Sequence, residues 1–158
     1  MPALATPQVD NDLYNRLADA WWSEQSELYL LKALVNPWRV PYFRRLLDQE
    51  QVDLRGRRAL DVGCGGGFLT EEVAALGFAV TGVDPSAQSL AVARAHAAQH
   101  ALPITYCRGS SDQLPFAAAS FAVVSCGDVL EHIPNWEAVI GEVRRVLVRG
   151  GGFFYVTG

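Results

Sequence analysis

The sequence has 158 residues, of which 50% are hydrophobic and 19% charged. That composition excludes disordered and fibrous classes and suits one domain able to bury a sizeable core. Seventeen acidic against 13 basic side chains give a net charge of -4, which argues against a general nucleic-acid binder.

Three widely spaced cysteines, Cys64, Cys107 and Cys126, form neither a disulfide scaffold nor a CxxC metal pair and suit a reducing compartment. Met1 to Asp12 lacks the basic and apolar stretches of a secretory signal. No apolar run reaches the roughly 20 residues of a membrane span. The expected location is cytoplasmic.

In chain order, Leu13, Leu17, Ala20 and Trp21 fall at helical spacing, as do Leu28, Leu31 and Val35. Prolines at Asn36-Pro37 and Pro41 are expected to stop these helices. From Arg57 the pattern turns to strand, glycine loop and helix. Ala59–Val62 reads as a first strand, Gly63 to Gly67 as a loop, Phe68–Leu76 as a helix closed by Gly77, and Ala79–Val83 as a second strand ending at Asp84. Ser86 is an expected N-cap for an alanine-rich helix to about His100. Further strands are expected at Ile104–Cys107, Phe121–Ser125 and, after Gly150-Gly151-Gly152, at Phe153–Val156, with a helix over Trp136–Val148. Near-continuous apolar strands alternating with helices predict an α/β, doubly wound, mostly parallel sheet in the order 3-2-1-4-5. Residues 1–55 read as an N-terminal helical segment packed on a core spanning 56–158.

In such sheets ligands bind beyond the carboxyl ends of the strands, where the glycine loop, Asp84, Ser110 to Asp112 and Gly127 to His132 all lie. Glycines let a ligand approach the backbone without meeting a Cβ. An acid about twenty residues further on, at the end of the second strand, can accept both hydroxyls of a ribose. The dinucleotide fingerprint G-x-G-x-x-G would need a glycine where Phe68 stands; the observed run is Asp61, Gly63, Gly65, Gly67.

That Asp-x-Gly-x-Gly-x-Gly run followed by Asp84 resembles the first motif of the class I S-adenosylmethionine-dependent methyltransferases. Gly109 to Phe116 resembles the family's adenine-covering stretch, with Ser110 where the family often has an acid. Ser120 to Val124, Leu130-Glu131-His132 and Arg145-Val146-Leu147 before Gly150 are similar landmarks. Ala20-Trp21-Trp22 followed by Asn36-Pro37-Trp38-Arg39 further resembles the ubiquinone-biosynthesis O-methyltransferases, which methylate hydroxyls of polyprenylated phenols. The resemblance implies methyl transfer from S-adenosylmethionine to a small phenolic or quinol acceptor. It implies a cofactor set of Arg39, Asp61, Gly63, Gly65, Gly67, Asp84, Ser110, Ser111 and Gly127, with Arg39 on the methionine carboxylate. A polyprenyl acceptor implies peripheral contact with the inner membrane.

If the turn after the fourth strand is helical, Asp128, Glu131 and His132 share one face. They then form a candidate metal site, for which the resemblance implies magnesium beside a phenolate. Without metal, His132, with Glu131 beside it, is the candidate general base, and a purely bracing role for the pair stays open. Trp21, Trp22 and Trp38 either pack helices or line the site. His96 and His100 are expected to be solvated, and Cys64 to be a small loop residue. The family's sheet continues past a fifth strand, so the resemblance implies either a piece of a longer protein or self-association through the fifth-strand edge. Competing readings are methylation of another small molecule, a non-catalytic cofactor-binding fragment and a nicotinamide-dependent reductase.

Overall fold

The computed structural model describes residues 20–49 and 56–157. The helix expected around Leu13 and Leu17 lies outside them. Helices α1 (Glu27–Leu30) and α2 (Asn36–Gln49) are joined by a π-helical turn, Leu31–Val35. The expected stops at Asn36-Pro37 and Pro41 therefore do not occur. Pro37 and Pro41, four residues apart, lie with Ala33 on the exposed face, where water can satisfy the carbonyls they leave without an N–H. Asn36, Arg39, Phe43 and Leu47 take the buried face of α2.

Strands β1 (Arg58–Val62), β2 (Ala79–Asp84), β3 (Thr105–Arg108), β4 (Phe121–Gly127) and β5 (Leu147–Val156) form one parallel sheet in the order β3-β2-β1-β4-β5. This is the order predicted from sequence. Successive residues serve opposite faces, as the period-2 pleat requires. Ala59 and Val123 join Phe43, Leu47, Leu69 and Val73 on one side. Leu60 and Val124 join Val139, Val143 and Val146 on the other. Helices α3 (Phe68–Ala75) and α4 (Ala87–Gln99) thus share a face with α2, while α5 (Trp136–Val146) covers the opposite one. Ser86 caps α4 as expected, its hydroxyl accepting the Ser89 N–H at 3.1 Å.

Several boundaries differ from expectation, two of them where α5 meets β5. Helix α5 ends at Val146, because the amides of Ala119 and Ser120 take the carbonyls of Arg145 and Val146 at 2.9 and 2.7 Å. Strand β5 starts at Leu147, before the glycines rather than after them. The register jumps from Phe121↔Leu147 to Val123↔Gly152, with Gly150 at φ +75° in the excursion. Among the described residues β5 is a sheet edge carrying the exposed Tyr155, and no helix is long and apolar enough to cross a membrane.

Candidate functional site

A cavity of about 700 Å³ opens beyond the carboxyl ends of β1, β2 and β4. Its floor is set by two acids. Asp84, the last residue of β2, accepts the Gly65 N–H at 2.9 Å on Oδ2 and the Ser86 N–H at 2.8 Å on Oδ1. Each oxygen keeps lone-pair capacity for further donors in the cavity it lines. Burial lifts this carboxyl above its usual pKa, while the two amides pull it down. Gly65, at φ +50°, occupies a backbone region that favours glycine. A Cβ there would also fall 2.5 Å from the Trp21 ring.

Asp61 is nearly inaccessible. Its carboxylate accepts Thr70 Oγ1–H at 2.6 Å and Ser125 Oγ–H at 2.7 Å, stitching β1 to α3 and β4. Burial pushes its pKa up to about 6 against the pull of both hydroxyls. The glycine turn therefore rests on a carboxylate already committed to the scaffold.

The N-terminal segment forms one wall. Trp21, in the turn before α1, lies against Gly65 and Gly66 and donates its indole N–H to Ser89 Oγ at 3.1 Å. Trp22 donates to the Gly66 carbonyl at 3.0 Å. Its ring is stacked 3.3 Å from His96, with Lys32 Nζ 4.5 Å away. His96 Nδ1 is 2.8 Å from Glu71 Oε1, so the expectation of a solvated His96 is corrected. It is the middle of a fastener holding the segment to α3 and α4. His100 is exposed. Trp38 points outward at 81% exposure and lines nothing here.

Arg39 reaches from α2 to the end of β4. Its Nη2 donates to Asp128 Oδ2 at 2.7 Å, and it packs over Gly127, where a Cβ would come within 2.8 Å of Nη1. Asp128 is a non-glycine residue at φ +56°, and only Leu130–His132 after it forms a 3-10 turn. The helical face expected for Asp128, Glu131 and His132 is thus broken. Among the described residues no three His, Cys, Asp or Glu side chains gather so as to hold a metal ion. With Asp128 bound to Arg39, the proposed magnesium ligands do not fit their role, and no step is derived through a metal. Glu131 and His132 are exposed residues on the cavity wall.

Residues 60–155 match the methyltransferase domain family. The chain belongs to that family. It is 34% identical over 157 residues to the ubiquinone biosynthesis O-methyltransferase of Bordetella avium (strain 197N), covering 99% of this chain and 63% of the relative. It is 39% identical over 145 residues to the protein of that name from Nitrosococcus oceani, covering 91% and 59%. The chain thus spans about three fifths of the length of these relatives. Among solved structures, Haemonchus contortus phosphoethanolamine N-methyltransferase 2, in complex with S-adenosyl-L-methionine, superposes with a TM-score of 0.66 at 27% identity. That match covers 74% of this chain and 28% of the other.

Within this methyltransferase domain the cavity brings together Arg39, Asp61, Gly63, Gly65, Asp84, Ser110, Ser111, Gly127, Asp128, Glu131 and His132. Gly67 does not line it: at φ +93° it precedes α3, facing the Tyr106 hydroxyl and Ala93. An acid does stand beside Ser110, since its hydroxyl donates to the Asp112 carboxylate on the same rim. Cys64 also lines the cavity, and burial raises its thiol far from the reactive thiolate form. Sequence reasoning gave Asn36 no site role; it is 3% exposed and lines the cavity. Its signal was the i, i+3 spacing to Arg39, hidden by treating Pro37 as a helix stop.

Proposed function

We propose that this domain binds S-adenosylmethionine in the cavity and methylates the oxygen of a small phenolic or quinol acceptor in ubiquinone-type quinone synthesis. The observation that carries the reading is the Asp84 carboxylate, held by the glycine-loop amide yet still able to accept from a ligand's diol. A buried guanidinium, Arg39, whose Nε has no partner among the described residues, lies on the same cavity wall and fits the carboxylate end of that donor. The names of the Bordetella and Nitrosococcus relatives support the acceptor class.

When bound, the donor supplies a methyl group on a sulfonium, which leaves as a neutral thioether. Asp84 would accept the ribose hydroxyls, and the Gly63 to Gly65 backbone with Ser110 and Ser111 would hold the rest of the nucleoside. Arg39 would pair with the donor's carboxylate, beside the Gly127 backbone over which it packs. Positioning of donor and acceptor by these residues and the 128–134 rim would supply most of the rate. His132 would remove the acceptor's hydroxyl proton, leaving the acceptor oxygen free to take the methyl group. Glu131 lies beside it on the rim.

Calorimetry with S-adenosylhomocysteine and with NADH tests the donor. Binding of the first and none of the second is expected, and the reverse preference overturns the proposal. Labelled donor offered to phenols, quinols and amines tests the acceptor. Label on a phenolic oxygen is expected; transfer to amines alone removes the oxygen assignment.

A further inference from the structure

Among the described residues, two buried nitrogen donors in the cavity wall have no hydrogen-bond partner: Nδ2 of Asn36 and Nε of Arg39. The residues are 3% and 8% exposed and stand three apart on the inward face of α2, so they address the same stretch of cavity. Folded proteins nearly always satisfy buried donors, so a pair left open on a cavity wall points to an acceptor brought by a ligand. Arg39 is not a full positive charge toward that ligand, because Asp128 binds its Nη2 at 2.7 Å. Neutral donors strengthen the hold on an anion there, and the Asn36 amide, open on the same face of α2, can give them.

We infer that Asn36 is a binding residue for the ligand's carboxylate, sharing it with Arg39. On the donor reading above, on which this rests, that group is the carboxylate of the amino-acid tail. The acid-free end of the same ligand, the nucleoside, lies over Asp84 and makes no demand on Asn36. Affinity for the tail and affinity for the nucleoside are therefore separable at this residue.

The test compares S-adenosylhomocysteine with 5′-methylthioadenosine, which keeps the nucleoside and thioether and lacks the tail, by calorimetry on the intact chain. Asn36→Ala is expected to weaken S-adenosylhomocysteine about tenfold and to leave 5′-methylthioadenosine within about twofold. Asn36→Asp keeps the shape, turns the donor into a carboxylate and is expected to weaken the first ligand further, again sparing the second. It decides the matter if the alanine variant does not fold. Equal losses for both ligands, or an unchanged affinity for S-adenosylhomocysteine, overturn the inference while leaving the donor reading standing. Failure of the unaltered protein to bind either ligand overturns both.

Discussion

The two sides of the cavity are built differently. On the β1–β2 side every carboxylate oxygen has a protein donor: Asp61 holds Thr70 and Ser125, and Asp84 holds Gly65 and Ser86. On the β4 side Glu131 and His132 stand exposed on a short 3-10 turn. The first side is preorganised and can grip a ligand without moving. The second presents exposed side chains on the cavity rim. On the proposed function, donor binding and acceptor chemistry are therefore expected to respond to different substitutions.

The largest effect should come from the exposed side. His132→Ala is expected to lower kcat about a thousandfold with S-adenosylhomocysteine affinity unchanged in calorimetry; a parallel loss of affinity would erase the distinction between the two sides. Asp84→Ala is expected to weaken S-adenosylhomocysteine about a hundredfold, the scale of two hydrogen bonds to a charged group. Circular dichroism should show the fold retained, and an unchanged affinity would remove the ribose assignment.

Asp61 sharpens the comparison through pH. Its folded pKa of about 6 lies above the ordinary carboxyl value of 3.8. The folded chain thus holds a proton that the unfolded chain has released, and the associated stability is lost as pH rises from about 4 through 6. The swing is about 3 kcal/mol, from two pKa units. Burial-raised Asp84 acts in the same direction. Asp61→Asn should flatten this slope in urea titrations across that range; an unaltered slope would show that Asp61 is not its source. The smallest effect is at the join between the sides. Asp128→Asn removes the charge opposite Arg39 while keeping an acceptor oxygen, and is expected to change S-adenosylhomocysteine affinity severalfold, with its salt dependence altered. No change in either would mean that Asp128 does not position Arg39.

What was legible in sequence was local. Asp61, the glycines and Asp84 sit within one strand–loop–helix–strand unit, where spacing alone carries geometry, and the sheet order follows from alternation and crossover handedness. What was not legible depended on distant partners. His96 reads as a surface residue until Trp22, from a segment 74 positions earlier, lies flat on it. Asp128 reads as a metal ligand until Arg39, 89 positions away, takes its oxygen. Asn36 was masked by a rule about proline that holds for helix interiors and loses force where both rings lie on the wet face. The early start of β5 was masked by glycines that a bulged strand tolerates.

The fastening of the N-terminal segment bears on how the molecule comes together in time. Trp21 to Ser89, Trp22 to Gly66 and Arg39 to Asp128 span 68, 44 and 89 positions of chain. Each fastens onto a group that the paired strands present, the loop after β1, the first turn of α4 or the end of β4, so the contact needs the sheet in place. The sheet unit can mature before this strap docks. A nascent chain would then own a nucleoside shelf before it owns a grip for the tail, and in refolding kinetics competence for the whole donor should lag behind the burial of the sheet.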